Sequence, residues 1–215
     1  MWNSASSNLL IRQEGDDRNM IATTGVRMPG AEDQLVTRCR AGDQDAFAQV
    51  YAQYERQVFR YAYHLLGNRE DADDIKQETF LRAYQAIKSF RSESSLQTWL
   101  LKICGNLCRD RIKSWDRRKV VYDSTLRDEQ LGSSGESEDP LAIVQRNEMT
   151  DMIFRVLRGM PEAQRIIIVL HEIEDLNYDE IAAILGCSRT SVKLRLFRAR
   201  RALKERVTSL MKPGV

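Results

Sequence analysis

The stretch SRTSVKLRLFRARRALKER, Ser188 to Arg206, carries eight Lys or Arg residues and a single acid, Glu205. Cationic side chains at this density suit three tasks: a solvated helix face, adhesion to an anionic membrane surface, or contact with nucleic-acid phosphates and base edges. Spacing separates them. At roughly 100° per residue, Val192, Leu196, Ala199 and Leu203 fall on one narrow stripe, with Val207 close beside it. That stripe is the expected buried face. Leu194 and Phe197 then project from the opposite side with Arg198 and Arg201, while Lys193 and Lys204 lie toward one flank. A solvated face has little use for two sizeable apolar residues. A membrane helix needs a broad apolar side, and here the apolar stripe is needed to cover a small bundle. Arg and Lys can bind phosphates or guanine edges, and apolar side chains can meet thymine methyls. The pattern points to a helix that reads DNA.

A second cluster, Glu70, Asp71, Asp73, Asp74 and Glu78, could in principle hold a metal or supply a catalytic carboxylate pair. His64 lies beyond a helix break, no E-x-x-H occurs, and no nucleotide loop or nucleophile motif accompanies the acids. Carboxylates at a helix start complement the helix dipole; exposed carboxylates also make a protein-docking face. The residues alone leave both readings open. Trp99 is either a core anchor or a stacking platform beside an unpaired base. The polar loop Arg91 to Ser95 and the row Lys102, Asn106, Arg109 and Lys113 suit a partly melted DNA strand, or form an ordinary wet helix face. Cys39, Cys104, Cys108 and Cys187 include no C-x-x-C pair and are read as reduced thiols, and His64 and His171 as structural or surface residues. No metal and no cofactor is expected.

These residues must be positioned by helices. The chain has 215 residues, 42% hydrophobic and 30% charged, with four prolines, eleven glycines and a net charge of +2. The charge is unevenly spread. Six acids and one base, Arg127, lie between Asp123 and Pro140, whereas nine bases and one acid lie between Gly186 and Lys212. No apolar stretch approaches the roughly 20 residues that span a bilayer, and no signal-peptide pattern opens the chain. A cytoplasmic protein without membrane insertion is expected.

Residues 1–30 lack periodicity and read as a flexible tail. From there apolar residues recur at helical steps. Phe47, Val50, Tyr51, Tyr54, Val58, Tyr61, Ala62 and Leu65 mark one long amphipathic helix, with Asp43 available as its cap and Gly67 to end it. A second helix holds Ile75, Phe80, Ala83 and Ile87 inward, and a third holds Leu100, Ile103, Cys104 and Leu107. These make a domain over 31–115. Residues 116–140, rich in Ser, Gly and acids, read as a flexible acidic linker. Helices resume over 141–210, with Pro161 at a first helical position. Asn177 and Glu180 can form a capping box, and Gly186-Cys187-Ser188 a tight turn that Ser188 caps. A short helix, a Gly turn and a longer basic helix make a helix-turn-helix. The expected fold is all-α: two small helical domains joined by a flexible acidic linker.

The segments DADDIKQETFLRAY and FRSESSLQTWLLKICGNLCRDRIK resemble the first conserved domain of the extracytoplasmic-function (ECF) sigma factors of bacteria. MPEAQRIIIVLHEIEDLNYDEIAAILGCSRTSVKLRLFRARRAL resembles their C-terminal domain. The resemblance implies an alternative sigma factor with no catalytic chemistry of its own. Its first domain would dock on the β′ clamp helices of core RNA polymerase through Asp74, Gln77 and Glu78. The same domain would capture and melt the -10 promoter element with Arg91, Ser92, Ser94, Ser95, Trp99, Lys102, Asn106, Arg109 and Lys113. The second domain, beside the β flap, would read the -35 element. Lys193, Leu194, Phe197 and Arg198 would face bases, and Arg189, Thr190, Ser191 and Arg195 would hold phosphates. The acidic linker would enter polymerase channels used by RNA, and a separate anti-sigma protein would regulate the chain. Thr190 and Leu194 stand where the family usually has Gly and Ser; Leu194 implies a shifted promoter preference, and Thr190 a changed opening of the helix. A stand-alone helix-turn-helix regulator is the alternative.

Overall fold

A computed structural model describes residues 30–123 and 155–211, with side chains through Trp115 in the first span and through Ser209 in the second. The parts assigned to residues 1–29 and 124–154 lie outside the described residues.

The N-terminal domain starts with α1 (Ala31–Arg40), which buries Val36 and Cys39. Asp43 caps α2 (Gln44–Leu66) by accepting from the Ala46 amide at 3.0 Å. That bond, the largest influence, and the Arg38 guanidinium hold the Asp43 carboxyl below its ordinary range. The apolar periodicity of α2 is realised: Val50, Tyr54, Val58, Tyr61, Ala62 and Leu65 are buried, while Phe47 and Tyr51 are only partly so. Gly67 ends α2 in the left-handed region at φ 73°, which its missing Cβ permits. Asn68 then caps α3 (Arg69–Ala86) by accepting from the amides of Glu70 and Asp71 at 2.8 and 3.4 Å. Ile75, Phe80 and Ala83 face the core, and Ile87 follows in a short 3₁₀ turn, Ile87–Ser89.

α4 (Leu96–Asp123) completes this domain, packing across α2 and α3. Its helical backbone runs eight residues into the span read as linker. No Gly or Pro lies between Gly105 and Gly132, so nothing local stops the helix at Trp115. Its start is set by Ser95, whose hydroxyl accepts from the Thr98 amide at 3.2 Å, and by Glu32 of α1, which accepts from the Leu96 amide at 2.9 Å.

The second described span opens with a helical turn at 155–158. Pro161 is the residue before α5 (Glu162–Ile168), with extended ψ of 138°, one position earlier than the sequence suggested. α5 continues as a π-turn, Val169–Ile173. α6 (Tyr178–Leu185) has the expected capping box. Asn177 accepts from the Asp179 and Glu180 amides at 2.9 and 3.0 Å, and Glu180 accepts from the Asn177 amide at 2.9 Å. Gly186 at φ 61° turns the chain. Ser188 then caps α7 (Arg189–Met211) by accepting from the Ser191 amide at 3.2 Å. Val192, Leu196, Ala199 and Leu203 are 0%, 1%, 0% and 7% exposed, so the stripe is the buried face of α7. The described elements are helical, and one buried apolar cluster runs through both domains.

Candidate nucleic-acid interface

α7 is held by its stripe and by Arg200. The Arg200 guanidinium donates from Nε to Glu172 Oε1 at 2.7 Å, tying the helix to the π-turn beneath it. Burial pushes the Glu172 carboxyl up, but hydrogen bonds from His171 and Arg200 outweigh it and keep the group below its ordinary range. With that side anchored, the opposite side is open. Leu194 is 50% exposed and Phe197 65%, the exposed large apolar side chains among the described residues of the second domain. Lys193, Arg195 and Arg198 are exposed beside them. Apolar area kept in water this way, among cations and on a fixed helix, is the usual mark of a binding surface.

The remaining predicted residues of this face divide. Thr190 is exposed, whereas Ser191 is half-buried with its hydroxyl 2.9 Å from that of Ser188. Arg189 is partly occupied: it donates to Asp179 at 3.0 Å and lies 6.0 Å from the Tyr178 ring centre. Lys193 is 5.6 Å from the same ring, which in turn stacks on His171 at 5.4 Å. Tyr178 was not foreseen as an organiser of these cations. Its signal in the sequence was only its place at the start of the short helix.

On the N-terminal domain the loop before α4 has Arg91 and Ser92 exposed and Ser94 half-buried. Ser92 is at φ 55°, a conformation uncommon for a residue with a side chain. Ser95 is spent mainly as the α4 cap. Trp99 is half-buried against Phe90, ring centres 4.9 Å apart, so it packs on the core while keeping an exposed part. Lys102, Asn106 and Lys113 are exposed along α4. Arg109 is half-buried, donating to Asn106 Oδ1 at 2.8 Å and pairing with Glu162 of the C-terminal domain at 3.2 Å.

The acidic cluster does not converge on one point. Asp71 accepts from Arg111, Asp73 is bound by Lys76 and Gln77, and Glu78 pairs with Arg82 at 2.7 Å. The Lys76 bond, first among the influences, lowers the Asp73 carboxyl. Asp74 lies 3.7 Å from the Arg111 guanidinium that also binds Asp71, and its side chain stays 65% exposed. Asp74, Gln77 and Glu78 share an open groove of about 750 Å³ with Leu81, Asp110 and Arg111. Leu81 is 52% exposed. Leu81, Asp110 and Arg111 lie within the two resembling segments but were not assigned to the docking face, because only the packing of α3 against α4 brings them into one groove. Three acids, Asp74, Glu78 and Asp110, line the groove with Arg82, Arg111 and the exposed leucine, so it can receive a partner with polar, basic and apolar side chains.

The described part of this molecule therefore offers a helix-turn-helix and a separate acidic groove. Residues 50–118 match the Sigma-70 region 2 family, and residues 150–203 match Sigma-70 region 4. The ECF RNA polymerase sigma-E factors of Salmonella typhimurium and Escherichia coli are each 34% identical over 182 residues, covering 83% of this chain and 95% of theirs. The RNA polymerase sigma-H factor of Pseudomonas aeruginosa is 29% identical over 185 residues, covering 84% of this chain and 96% of its own. Among solved structures, CnrH in complex with the cytosolic domain of CnrY has a TM-score of 0.62 at 24% identity, covering 84% of this chain and 99% of that one. The sigma factor RpoE of Bartonella quintana, in complex with the anti-sigma factor NepR, has a TM-score of 0.59 at 24% identity, covering 75% and 96%. The chain belongs to the ECF sigma factors of the sigma-70 family. It is an alternative sigma factor, a protein that directs transcription initiation by RNA polymerase.

Proposed function

We propose that the two surfaces divide the work of initiation. Asp74, Gln77 and Glu78, with Leu81 among them, dock the N-terminal domain on the β′ clamp helices of core polymerase. The loop Arg91–Ser95, Trp99 and the α4 row receive the -10 strand. The exposed pair Leu194 and Phe197, set among Lys193, Arg195 and Arg198, reads the -35 element in the major groove, with the C-terminal domain beside the β flap. The observation that carries this reading is that pair: about half of each apolar side chain or more is left in water on a helix whose other side is locked. Arg195 and Arg198 have no ion-pair partner among the described residues, so both are available to phosphates or base edges. Arg189 would have to leave Asp179 before holding a phosphate.

The protein acts without catalytic chemistry of its own, in the cytoplasm with the polymerase. None of the described helices is long and apolar enough to cross a membrane. A separate anti-sigma protein regulates it, as the NepR complex suggests by analogy with the Bartonella quintana factor. Residues 31–115 serve as the core-binding and -10 domain, 116–140 as the connection with its first eight residues helical, and 141–210 as the -35 domain. Run-off transcription with core polymerase on genomic fragments tests this division. Specific transcripts are expected from the wild type, and transcripts of unchanged promoter choice from a Leu194→Ser variant would remove Leu194 from the reading surface.

A further inference from the structure

The loop assigned to the -10 strand is held at its ends and free between them. Arg91, Ser92, Glu93 and Ser94 make no hydrogen bond or ion pair with other described residues. Ser92 nevertheless sits at φ 55°, so the loop follows one uncommon path. Its first end is buried. Phe90 is 5% exposed, rests on Trp99 and donates its amide to the Ile87 carbonyl at 3.2 Å. Its second end is the start of α4, where the Ser95 carbonyl accepts from the Trp99 amide at 3.1 Å. The Leu96 amide is one of the helix-start donors that the helix itself cannot satisfy. Leu96 is wholly buried, so its amide needs a partner from the protein.

Glu32 meets that donor from α1. Its Oε1 accepts from the Leu96 amide at 2.9 Å, and its Oε2 accepts from the Tyr54 hydroxyl at 3.5 Å. Burial, with the Glu32 charge behind it, pushes the Tyr54 phenol up to about 12, so the hydroxyl remains a donor. With its two oxygens engaged by different helices, the Glu32 carboxylate has one place to be. A carboxylate there also complements the dipole of α4. The same α1 packs on the 3₁₀ turn Ile87–Ser89, which leads into the loop. One helix therefore braces both ends of the loop, and Glu32 is its grip on the second.

We infer that Glu32 is a positioning residue for -10 capture: by holding the Leu96 amide it fixes the end of the Arg91–Ser95 loop, and with it the geometry that the loop presents to the promoter strand. Glu32 acts through the loop and not by contact with DNA. This rests on the assignment of that loop to the -10 strand. A loop that samples several paths presents the binding one only part of the time, and apparent affinity falls by that fraction. Losing the hold must therefore weaken capture of the unpaired strand and blur the choice among -10 bases, while core binding stays as it is.

The test uses the full chain with Glu32→Ala, Glu32→Asp and Glu32→Gln, each with core polymerase. Gln keeps the length and an acceptor oxygen for the Leu96 amide, whereas Asp keeps the charge and is one methylene short. Open complexes are scored by permanganate reactivity of unpaired thymines, on one promoter and on its single-base -10 variants. Hydrogen exchange over residues 90–99 reports the loop itself. At limiting holoenzyme, Glu32→Ala is expected to form open complexes about tenfold less often and Glu32→Asp about threefold less, with Glu32→Gln within about twofold of wild type. The Ala and Asp variants should also discriminate less among -10 bases and exchange the Leu96 amide faster. Should Glu32→Ala fold poorly, Glu32→Asp carries the test. Wild-type opening in the Ala and Asp variants overturns the proposal. An equal loss at every -10 sequence overturns it too, because that is what general destabilisation would give. If Arg91→Ala with Ser94→Ala leaves -10 discrimination unchanged, the assignment of the loop fails, and the positioning role falls with it even where exchange shows that Glu32 holds Leu96.

Discussion

At the scale of single residues, the least expected constraint is Gly105, in the middle of α4. Replacing a mid-helix Gly by Ala ordinarily stabilises by about 1 kcal/mol. Here an added Cβ would come within 2.9 Å of Tyr61 Oη, and Tyr61 is wholly buried. Overpacking of this kind costs about 1–3 kcal/mol, so Gly105→Ala should lower the thermal midpoint. Tyr61 Oη has no hydrogen-bond partner among the described residues, and burial drives its phenol pKa well above the ordinary value. Tyr61→Phe should therefore be neutral or slightly stabilising, and Tyr61→Phe with Gly105→Ala should recover the loss. A double-mutant cycle by thermal melting checks this, and additive effects would show that the two atoms do not meet. The exposed Arg198 is governed by a different balance, because the role proposed for it lies in the complex with DNA. Arg198→Ala should cost about 1–3 kcal/mol at one promoter position if the side chain makes a bidentate base contact. Initiation from a library of single-base -35 variants separates that from a uniform loss, which would make Arg198 a phosphate contact.

At the scale of elements, α3 carries the docking prediction. Glu78 is 41% exposed and its pair with Arg82 is four residues along the same helix. Such pairs add only about 0.3–0.5 kcal/mol, so Glu78→Lys should leave the melting profile nearly unchanged. Reversing the charge in the groove should weaken binding to core polymerase by about 1–2 kcal/mol, measured by titration calorimetry. Equal affinity would move the docking face elsewhere. The elements also show what the sequence makes readable. The caps Asp43, Asn177 and Ser188 and the stops Gly67 and Gly186 act within three or four residues of their own position, so their chemistry is local and visible. The stripe on α7 was readable for the same reason, since a helix repeats its buried face every three or four residues. Glu32 was not readable. It accepts from the Leu96 amide across 64 positions, and its nearness to Tyr54, after burial, helps push that phenol up to about 12. The continuation of α4 past Trp115 was hidden by composition: the Ser- and acid-rich stretch that follows looked like one linker, yet no residue that breaks helices precedes Gly132.

At the scale of the whole molecule, the junction between the domains is the part no motif announced. Arg60 and Gln57, which donate to the buried Glu174, and Arg158 and Arg165, which donate to the Gly67 and Leu65 carbonyls, look like ordinary polar positions until the other domain is in place. The junction also carries the clearest pH dependence. His64, in the last turn of α2, is pushed down to about 4, chiefly by burial; Arg60 adds to the shift and Glu174 opposes it. In the unfolded chain the same group titrates near 6.5. Between these values the unfolded state binds a proton that the folded state refuses. Stability is therefore fully present above pH 6.5 and falls as pH is lowered toward about 4, by an amount on the order of 2 kcal/mol. The shifted carboxyls do not confuse this window. Asp43, Asp73 and Glu172 are all lowered from ordinary values of 3.8 or 4.5, so their stabilisation is lost mainly below the range of His64. Urea unfolding of the full chain at pH 7.5, 6.5, 5.5 and 5.0 should show little change between the first two and a steepening fall below pH 6.5, and His64→Gln should flatten it. An equal slope in the variant would assign the loss to another group. A fall that persists in Arg60→Ala would show that the closed junction is not needed to keep His64 out of water, whereas a flattened fall would tie the refused proton to domain closure.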